Sequence, residues 1–460
     1  MEKNLKKPSF YRVLVPALSG ILAMSAILSG CGSASQSSQP ASGSDSTSSS
    51  GGKTGSVSKL TLWDIQTQDS QKLIVDETDK FNKAHSDIQV TPQWFQNDPY
   101  KDKIRISLGA GNPPDIFYNW GGGPLADYVK AGDVVDLTSY LNADSAYKNK
   151  FIDSVWGPAT VDGKIYGVPT EGSAGELLYY NKALFKKYNL DPPTTWDNLL
   201  KAVKVLKDNG IAPIALEGKS QWPEMIWVQY LTARLGGTQV FDKIAKGEPG
   251  SWSDPAILKA LQYCQQLVDM GAFQTGYTSL DADKNESEPL IVTGKAGMIA
   301  QGSWVYSNFQ TNYPDFVKSG DLGYTAFPTI DPQYGDIAVG APSSYYSISS
   351  KSKNPEAAMT YLKEVSLNDD EVTAYINKLG AIPPVKNIDD QLKASPTADF
   401  QIWLHGIIAK APTVQLYWDQ YLSATLAKQL LDNISKVFIK QETPQQLVDN
   451  MNKNMAAAPK

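Results

Sequence analysis

Apolar and polar positions alternate with two different periods after residue 58. Residues 60–63 form a short apolar run typical of a strand, and the apolar positions of 74–84 lie on one face of a helix. A period of two returns at 88–90, and 115–118 form another short apolar run after a turn rich in proline. Strands that alternate with helices predict an α/β fold in which helices cover a largely parallel sheet.

Two later segments carry specific signals for helix ends. In residues 192–210 a pair of prolines precedes Thr194, which can cap a helix with Asp197 three positions on. Gly210 stands where a glycine commonly ends a helix. A second helix is predicted to begin at Asn354, because proline occupies the first helical position after it. Both helices are interpreted as structural.

The start of the chain has a different pattern. Basic residues precede a mostly apolar run over 13–28, which ends in small residues just before Cys31, as in a secretory signal. The segment Leu28–Cys31 resembles the bacterial lipobox, in which the cysteine becomes the lipid-modified N-terminus. We therefore expect residues 1–30 to be a lipoprotein signal peptide and Cys31 to carry diacylglyceryl and palmitoyl chains. The alternatives are a membrane-spanning anchor and a buried thiol.

The segment after Cys31 is too polar to form a core. Positions 32–58 contain 12 serines among 27 residues and no large apolar residue except Val57. Residues 31–58 are expected to act as a flexible tether with a reach of roughly 30 Å. This arrangement predicts a protein attached by lipid to the extracytoplasmic face of the cell membrane.

Charge and cysteine content narrow the possible functions. The formal net charge is −6, and removal of the basic leader makes the mature chain more acidic, which argues against nucleic acid as a partner. Cys264 is the second of two cysteines, so no intrachain disulfide is expected, and its apolar neighbours predict a buried small hydrophobe. The roughly 400 residues after the tether exceed one ordinary core, which favours two lobes.

Motifs for catalysis or metal binding are missing from the sequence. Histidine occurs only at His85 and His405, and residues 172–175 only approach the pattern of a nucleophile elbow. Residues 281–285 begin like a calcium loop, but Glu286 replaces the required glycine, so we interpret them as a solvated acidic loop. A carboxylate pair for glycoside hydrolysis stays open, because the separation of such a pair depends on the fold. We expect no enzyme, no metal and no cofactor.

Three segments carry a resemblance to a known family: "YGVPTEGSAGELLYYNKALFKKYNLDPPTTWDNLL" at 166–200, "TGKAGMIAQGSW" at 293–304 and "ISSKSKNPEAAMTYLKEV" at 348–365. The resemblance is to ABC-transporter solute-binding proteins, in particular the sugar-binding extracellular family 1. It extends over nearly all of 59–385. It implies a monomer with a type II periplasmic-binding-protein-like fold, in which two α/β lobes enclose a ligand cleft.

The resemblance also implies where each lobe lies in the sequence. The first lobe would contain 59–168 and 328–368, and the second would contain 169–327 and 369–460. The chain would cross between them near 167–169, 327–328 and 367–368.

Carbohydrate chemistry indicates which side chains would line such a cleft. Aromatic rings stack on the apolar faces of sugar rings, and carboxylates and amides bind the hydroxyl groups. The predicted aromatic platforms are Trp120, Trp222, Trp304, Tyr345 and Trp418, and the predicted polar groups are Asp64, Gln66 and Glu171. Packing in the core is the alternative for each aromatic residue, and an exposed loop position is the alternative for each polar one. Trp196 is expected to pack in the first turn of its helix.

The resemblance predicts the function as well. The chain would bind a sugar or oligosaccharide by closure of the two lobes and deliver it to the transmembrane permease of an ABC importer. A ferric-ion or other small-solute binding protein is one alternative, since tyrosine pairs occur at 179–180 and 345–346. A secreted carbohydrate-active enzyme is the other.

Overall fold

Helices and strands alternate along the part of the chain that the structure describes. The computed structural model describes residues 57–458, so the predicted signal peptide, Cys31 and nearly all of the tether lie outside the described residues. The strands are β1 (Ser58–Asp64), β2 (Ile88–Trp94), β3 (Ile116–Asn119), β4 (Thr160–Val161), β5 (Lys164–Ile165), β6 (Val168–Pro169), β7 (Ala174–Asn181), β8 (Ala212–Ala215), β9 (Ala296–Gly302), β10 (Leu322–Thr325), β11 (Ala338–Ala341), β12 (Tyr345–Ile348) and β13 (Val414–Gln415).

The helices cover both sheets. They are α1 (Gln68–Ala84), α2 (Asn97–Gly109), α3 (Gly122–Lys130), α4 (Thr138–Asn142), α5 (Ser145–Asn149), α6 (Lys182–Lys187), α7 (Trp196–Asp208), α8 (Trp222–Gly236), α9 (Gln239–Ala245), α10 (Pro255–Asp269), α11 (Glu288–Val292), α12 (Trp304–Asn312), α13 (Pro314–Lys318), α14 (Pro355–Val365), α15 (Asp369–Asn377), α16 (Asp389–Ala394), α17 (Ala398–Lys410), α18 (Trp418–Tyr421), α19 (Ala424–Phe438) and α20 (Pro444–Ala457). No helix within residues 57–458 combines the length and apolar character needed to cross a membrane.

The first sheet has the strand order β2-β1-β3-β12-β6. Strands β1, β2 and β3 are parallel, and β12 runs antiparallel to its neighbours β3 and β6. The carboxyl ends of β1, β3 and β6 therefore lie at one edge, together with the beginning of β12. In open α/β sheets this edge is where ligands bind.

The second sheet has the order β13-β11-β7-β9-β8, and β10 also pairs with β7. Strand β7 runs antiparallel to β9 and β11, whereas β8 is parallel to β9. The beginning of β7 thus shares an edge with the carboxyl ends of β8, β9, β11 and β13. Trp222, Trp304 and Tyr417 all follow strands that end at this edge.

One strand joins a different sheet from the one that the sequence indicates. Residues 328–368 were expected in the first lobe, but β11 pairs with β7 and β13 in the second sheet. The chain passes to the first sheet only between Ala341 and Tyr345. The apolar sequence of β11 does not specify its partner, because strand pairing between distant segments is a tertiary choice.

The two predicted helix starts have different outcomes. Helix α14 begins at Pro355 with Asn354 before it, as predicted. In α7 the cap is Thr195, whose side chain accepts a hydrogen bond from the Asn198 N–H, and Thr194 is not the cap. The reason is tertiary: the Thr194 carbonyl accepts a hydrogen bond from Thr329, which holds the chain extended for one more residue.

Cys264 confirms the prediction of a buried small hydrophobe. It lies on α10, is fully buried and forms no disulfide. Burial raises the pKa of its thiol far above the usual range. Such a thiol stays protonated and unreactive at neutral pH.

Candidate functional site

The edge of the first sheet contains Asp64, which serves the protein's own structure. Its carboxylate is fully buried and accepts hydrogen bonds from the Tyr346 hydroxyl and from the backbone N–H groups of Ile65 and Gln66. Burial raises the carboxyl pKa, and these hydrogen bonds oppose that shift. Asp64 therefore shapes the loop that presents the half-buried Gln66, and has little capacity left for a ligand.

Glu171 is the polar group of this edge that can still form hydrogen bonds with a ligand. It lies just after β6 and is partly exposed, and the Tyr118 hydroxyl donates to its Oε2 atom at 2.9 Å. The same hydroxyl lies 2.7 Å from that of Ser344. Burial raises the pKa of Glu171 to about 7, against the effect of its hydrogen bonds. A carboxyl group near its pKa can both donate to and accept from hydroxyl groups.

Trp120 stands beside this polar group. It is half-buried, and its ring packs edge-on against that of Tyr118 with centroids 5.2 Å apart. The Nζ atom of Lys101 lies 5.6 Å from the centroid of the Trp120 ring. The structure thus brings Trp120 and Glu171 together through Tyr118.

The glycines after Trp120 have a role that the sequence did not reveal. Glycines next to an aromatic residue of a site can allow close approach of a ligand, but a Cβ atom on Gly122 would lie 2.2 Å from the Gln420 carbonyl oxygen. A Cβ atom on Gly123 would lie 2.3 Å from the Leu422 carbonyl oxygen. These glycines instead allow the start of α3 to approach the backbone of α18, which follows the second sheet.

Trp304 is an exposed aromatic residue at the edge of the second sheet. It is 40% exposed and begins α12 immediately after β9. Its ring lies across Gly302, where an added Cβ atom would come within 2.0 Å of it. The sequence Gly-Ser-Trp therefore fixes the ring over the strand end, because only glycine leaves room beneath it.

Trp304 forms an aromatic cluster with two neighbours. The ring centroid of Trp222 lies 6.0 Å from that of Trp304, and the centroid of Tyr417 lies at 6.4 Å. The indole nitrogen of Trp222 and the hydroxyl of Tyr417 are buried without a hydrogen-bond partner. We call Trp222, Trp304 and Tyr417 the ring cluster.

Glu176 is a residue of this edge that sequence reasoning missed. It pairs with Gly302 across β7 and β9, so its side chain lies on the face of the sheet that the Trp304 ring covers. The side chain is 1% exposed, and neither carboxyl oxygen has a partner. Burial raises its pKa to about 8, an effect that the nearby hydroxyl of Tyr417 reduces. The Glu-x-x-Tyr-Tyr pattern gives no signal for this, since the neighbour comes from β9.

Two predicted platforms lie in the core. Tyr345 is fully buried and its hydroxyl donates to the Val155 carbonyl at 2.6 Å. Trp418 is fully buried and stacks on Phe241 with centroids 4.9 Å apart. Neither ring has a face open to a ligand in this conformation, which corrects their assignment as platforms.

The tyrosine pairs that suggested ferric ion are also buried. Tyr179, Tyr180, Tyr345 and Tyr346 are each less than 10% exposed. The Tyr346 hydroxyl is bound to Asp64, and Tyr179 packs against Phe309. These side chains are structural in the described conformation.

The acidic loop joins the two sheet regions. The backbone N–H of Asp98, on α2, donates to Asp283 Oδ2 at 2.9 Å, and Asp281 pairs with Lys219 at 2.6 Å. Carboxylate oxygens of Asp98, Asp281 and Asp283 lie within 4.8 Å of one another. The sequence predicts a solvated acidic loop, but Asp281 is buried, so the loop is solvated only over part of its length.

The chain resembles known binding proteins along most of its length. A family model described as bacterial extracellular solute-binding protein matches residues 65–371. An uncharacterized ABC transporter extracellular-binding protein of Pyrococcus horikoshii is 26% identical over 376 residues, which are 80% of this chain and 79% of that protein. The multiple sugar-binding protein of Streptococcus mutans is 28% identical over 56% of this chain and 60% of its own length.

Solved structures show the same architecture. One was determined in work on xylan utilization by the thermophilic bacterium Caldanaerobius polysaccharolyticus; it is 30% identical with a TM-score of 0.78, and the match covers 86% of this chain and 99% of that one. A chitin oligosaccharide binding protein is 26% identical with a TM-score of 0.79, over 88% of this chain and 99% of that one. These likenesses confirm the predicted two-lobed type II fold.

Proposed function

Because the chain belongs to the bacterial extracellular solute-binding protein family, we propose that it binds a sugar or oligosaccharide between its two lobes. The family membership confirms the prediction of a binding protein and not an enzyme. Relatives named for multiple sugars and for chitin oligosaccharide support a carbohydrate ligand. The ring cluster carries the proposal, since it presents an exposed tryptophan where β9 ends, and ligands of open α/β sheets bind at the carboxyl ends of strands.

The candidate site consists of Trp120 and Glu171 on the first sheet and the ring cluster on the second. Covering one sugar face would remove on the order of 100 Å² of apolar area, worth roughly 2.5 kcal/mol per ring. Two rings and several hydrogen bonds at about 1 kcal/mol each approach the roughly 8 kcal/mol of micromolar binding. The cost of immobilising the sugar makes a third ring useful.

The lobes would close around the ligand and hold it until the protein reaches the permease. Contacts made with both lobes stabilise the closed state, because only differential contact shifts a conformational equilibrium. The loaded monomer would then dock on the transmembrane permease of an ABC importer. Cys31 would hold the protein at the extracytoplasmic face of the membrane through its lipid, and residues 31–58 would let it move toward the permease.

A titration of the fragment from Val57 onward tests the binding proposal. The fragment is titrated with a panel of mono- and oligosaccharides and followed by tryptophan fluorescence, with recovery of each saccharide checked after prolonged incubation. We expect saturable binding and an unchanged saccharide. Binding of ferric ion together with indifference to all saccharides would contradict the proposal.

The lipid anchor needs a separate test. Full-length protein expressed in a bacterium that processes lipoproteins should incorporate labelled palmitate and sediment with membranes. Cys31→Ala should abolish the label, whereas Cys264→Ala should leave it in place. Equal labelling of the Cys31→Ala variant would contradict the proposed anchor.

A further inference from the structure

Acidic side chains lie around the candidate site, and the lysines described there are already paired with groups of the protein. The ammonium group of Lys101 lies 5.6 Å from the Trp120 ring centroid, 3.4 Å from Asp98 and 4.0 Å from Asp419. The Asp419 side chain is only 12% exposed, and burial raises its pKa. The positive charge of Lys101 is therefore shared between two carboxyl groups of the protein, one from each sheet region.

Three further lysines of the described residues are also held by groups of the protein. Lys219 and Lys284 lie 2.6 and 3.6 Å from Asp281. Lys103 is held over the rings of Trp63 and Phe95, at 4.7 and 4.9 Å, and these rings are not part of the candidate site.

The arginines are placed elsewhere. Arginine occurs at positions 12, 105 and 234, and the first lies outside the described residues. Arg105 pairs with Asp102 at 2.9 Å on the exposed face of α2. Arg234 is 1% exposed and donates to three backbone carbonyls within residues 327–337. Within residues 57–458, no guanidinium group is thus free to form a bidentate pair with an anion in the candidate site.

We propose that the cleft selects saccharides without anionic groups, and that Asp419 and Glu171 are the residues that enforce this selection. The inference rests on the proposed function and adds the charge class of the ligand. Closure removes water from the ligand, and an anion enclosed without a free cation bears an uncompensated desolvation cost. A carboxylate or phosphate on the sugar would also meet Asp419, whose carboxylate lies 4.0 Å from the Lys101 ammonium group over Trp120, and Glu171 beside Tyr118.

Matched pairs of sugars that differ in one carboxylate test the proposal. The pairs are glucose and glucuronate, galactose and galacturonate, and cellobiose and cellobiouronate, each titrated at low salt and at pH 8, above the pKa of about 7 that burial gives Glu171. In every pair whose neutral member binds, we expect the acidic member to bind at least about tenfold more weakly. Added salt should change this difference in Kd only a little, because charges enclosed in a closed cleft are screened much less than exposed ones.

Variants assign the effect to the named residues. Asp419→Asn and Glu171→Gln should each reduce the ratio between the Kd of the acidic sugar and the Kd of its neutral partner. Asp208→Asn removes the same charge from an exposed position at the end of α7 and should leave this ratio unchanged. Two substitutions at different sites keep the test decisive if one of them impairs folding.

The outcomes separate this inference from the proposed function. Equal or tighter binding of an acidic member would overturn the charge selection while leaving carbohydrate binding in place. A ratio of the two Kd values that is unaffected by both site substitutions would overturn the roles of Asp419 and Glu171. Failure of all six sugars and the wider saccharide panel would contradict the proposed function itself.

Discussion

Two tryptophans of this chain lie in opposite environments, and the contrast decides what each one does. Trp304 is 40% exposed over a glycine at a strand end, whereas Trp196 is 7% exposed and stacks on Tyr263 with centroids 5.1 Å apart. An exposed ring contributes little to folding and is available to a ligand. A buried ring fills space that no other group occupies.

Replacement of Trp304 by alanine should weaken saccharide binding and spare stability. Loss of one platform of roughly 2.5 kcal/mol corresponds to about a 60-fold higher Kd. Titration calorimetry with the tightest saccharide of the panel measures this change. Ile439→Ala removes a side chain of similar exposure at the end of α19 and serves as the control. An unchanged Kd would remove Trp304 from the site.

Replacement of Trp196 by alanine should have the reverse effect. Truncation of a buried tryptophan typically costs about 3–5 kcal/mol of unfolding free energy. Urea denaturation followed by circular dichroism should show this loss, and the Kd for the same saccharide should stay within about twofold at temperatures where the variant is folded. A Kd that changed as much as in Trp304→Ala would place Trp196 in the site.

The buried carboxyl group of Glu224 determines the direction in which we expect the unfolding free energy to change with pH. It is fully buried on α8, its carboxyl oxygens lack partners, and burial raises its pKa from 4.5 to about 8. Below pH 4.5 the carboxyl is protonated in both states. Between pH 4.5 and 8 only the unfolded state loses the proton, so the unfolding free energy falls as pH rises, and above pH 8 this contribution is constant.

Urea titrations at several pH values from 5 to 8 measure this slope. Glu224→Gln should reduce it, because each unit of pKa shift corresponds to about 1.4 kcal/mol. Glu248→Gln, at an exposed position after α9, should keep the wild-type slope. Stability that rose with pH over this range in the wild type would contradict the assignment.

At the scale of elements, the start of α7 shows how tertiary contacts shift a boundary set by local chemistry. Both Thr194 and Thr195 are exposed and have the side chain that a cap requires. The backbone hydrogen bonds of Thr194 and Trp196 to Thr329 determine that Thr195 is the cap. They keep Thr194 extended, so that Thr195 is the last residue before the helix. The helix end is local: Gly210 follows the end of α7, as predicted, and has a left-handed conformation with φ +73°.

The cap predicts different costs for two adjacent threonines. Thr195→Ala should lower the unfolding free energy by about 1 kcal/mol, since it removes the acceptor for the Asn198 N–H. Thr194→Ala should change it by less than about 0.5 kcal/mol, as for an ordinary exposed position. Thermal and urea unfolding of the two variants provide the comparison. Equal losses would show that the cap is not specific to Thr195.

For the molecule as a whole, sequence was sufficient for local elements and for the position of Trp304 at a strand end, but not for groups brought together by strand pairing. The Gly-Ser-Trp segment predicts an aromatic residue at a strand end, and the structure exposes it there. Glu176 was missed because its neighbour Gly302 is distant in sequence and meets it only in the sheet. Tyr345 was misassigned because sequence does not show toward which side of a strand a ring is packed.

Two hydrogen bonds between the sheet regions lead to a prediction of how lobe closure affects the Kd for a saccharide. At one side of the junction, Asn312 donates to the Gln68 side chain at 3.3 Å and Thr311 donates to Asp69 at 3.1 Å. These bonds join the end of α12, which follows the second sheet, to the start of α1, which follows the first. They involve none of the aromatic rings of the candidate site, so their removal would leave the contacts between those rings and a ligand unchanged.

Thr311→Ala combined with Asn312→Ala should therefore raise the Kd through the conformational equilibrium. Apparent affinity falls with the fraction of molecules that can close, and two exposed hydrogen bonds correspond to about a two- to tenfold change. Small-angle scattering should show a larger radius of gyration than wild type without saccharide and the same compact value at saturation. Ser319→Ala, after α13, leaves the junction intact and should match wild type. If the double variant bound as tightly as wild type with an unchanged radius, these contacts would not govern closure.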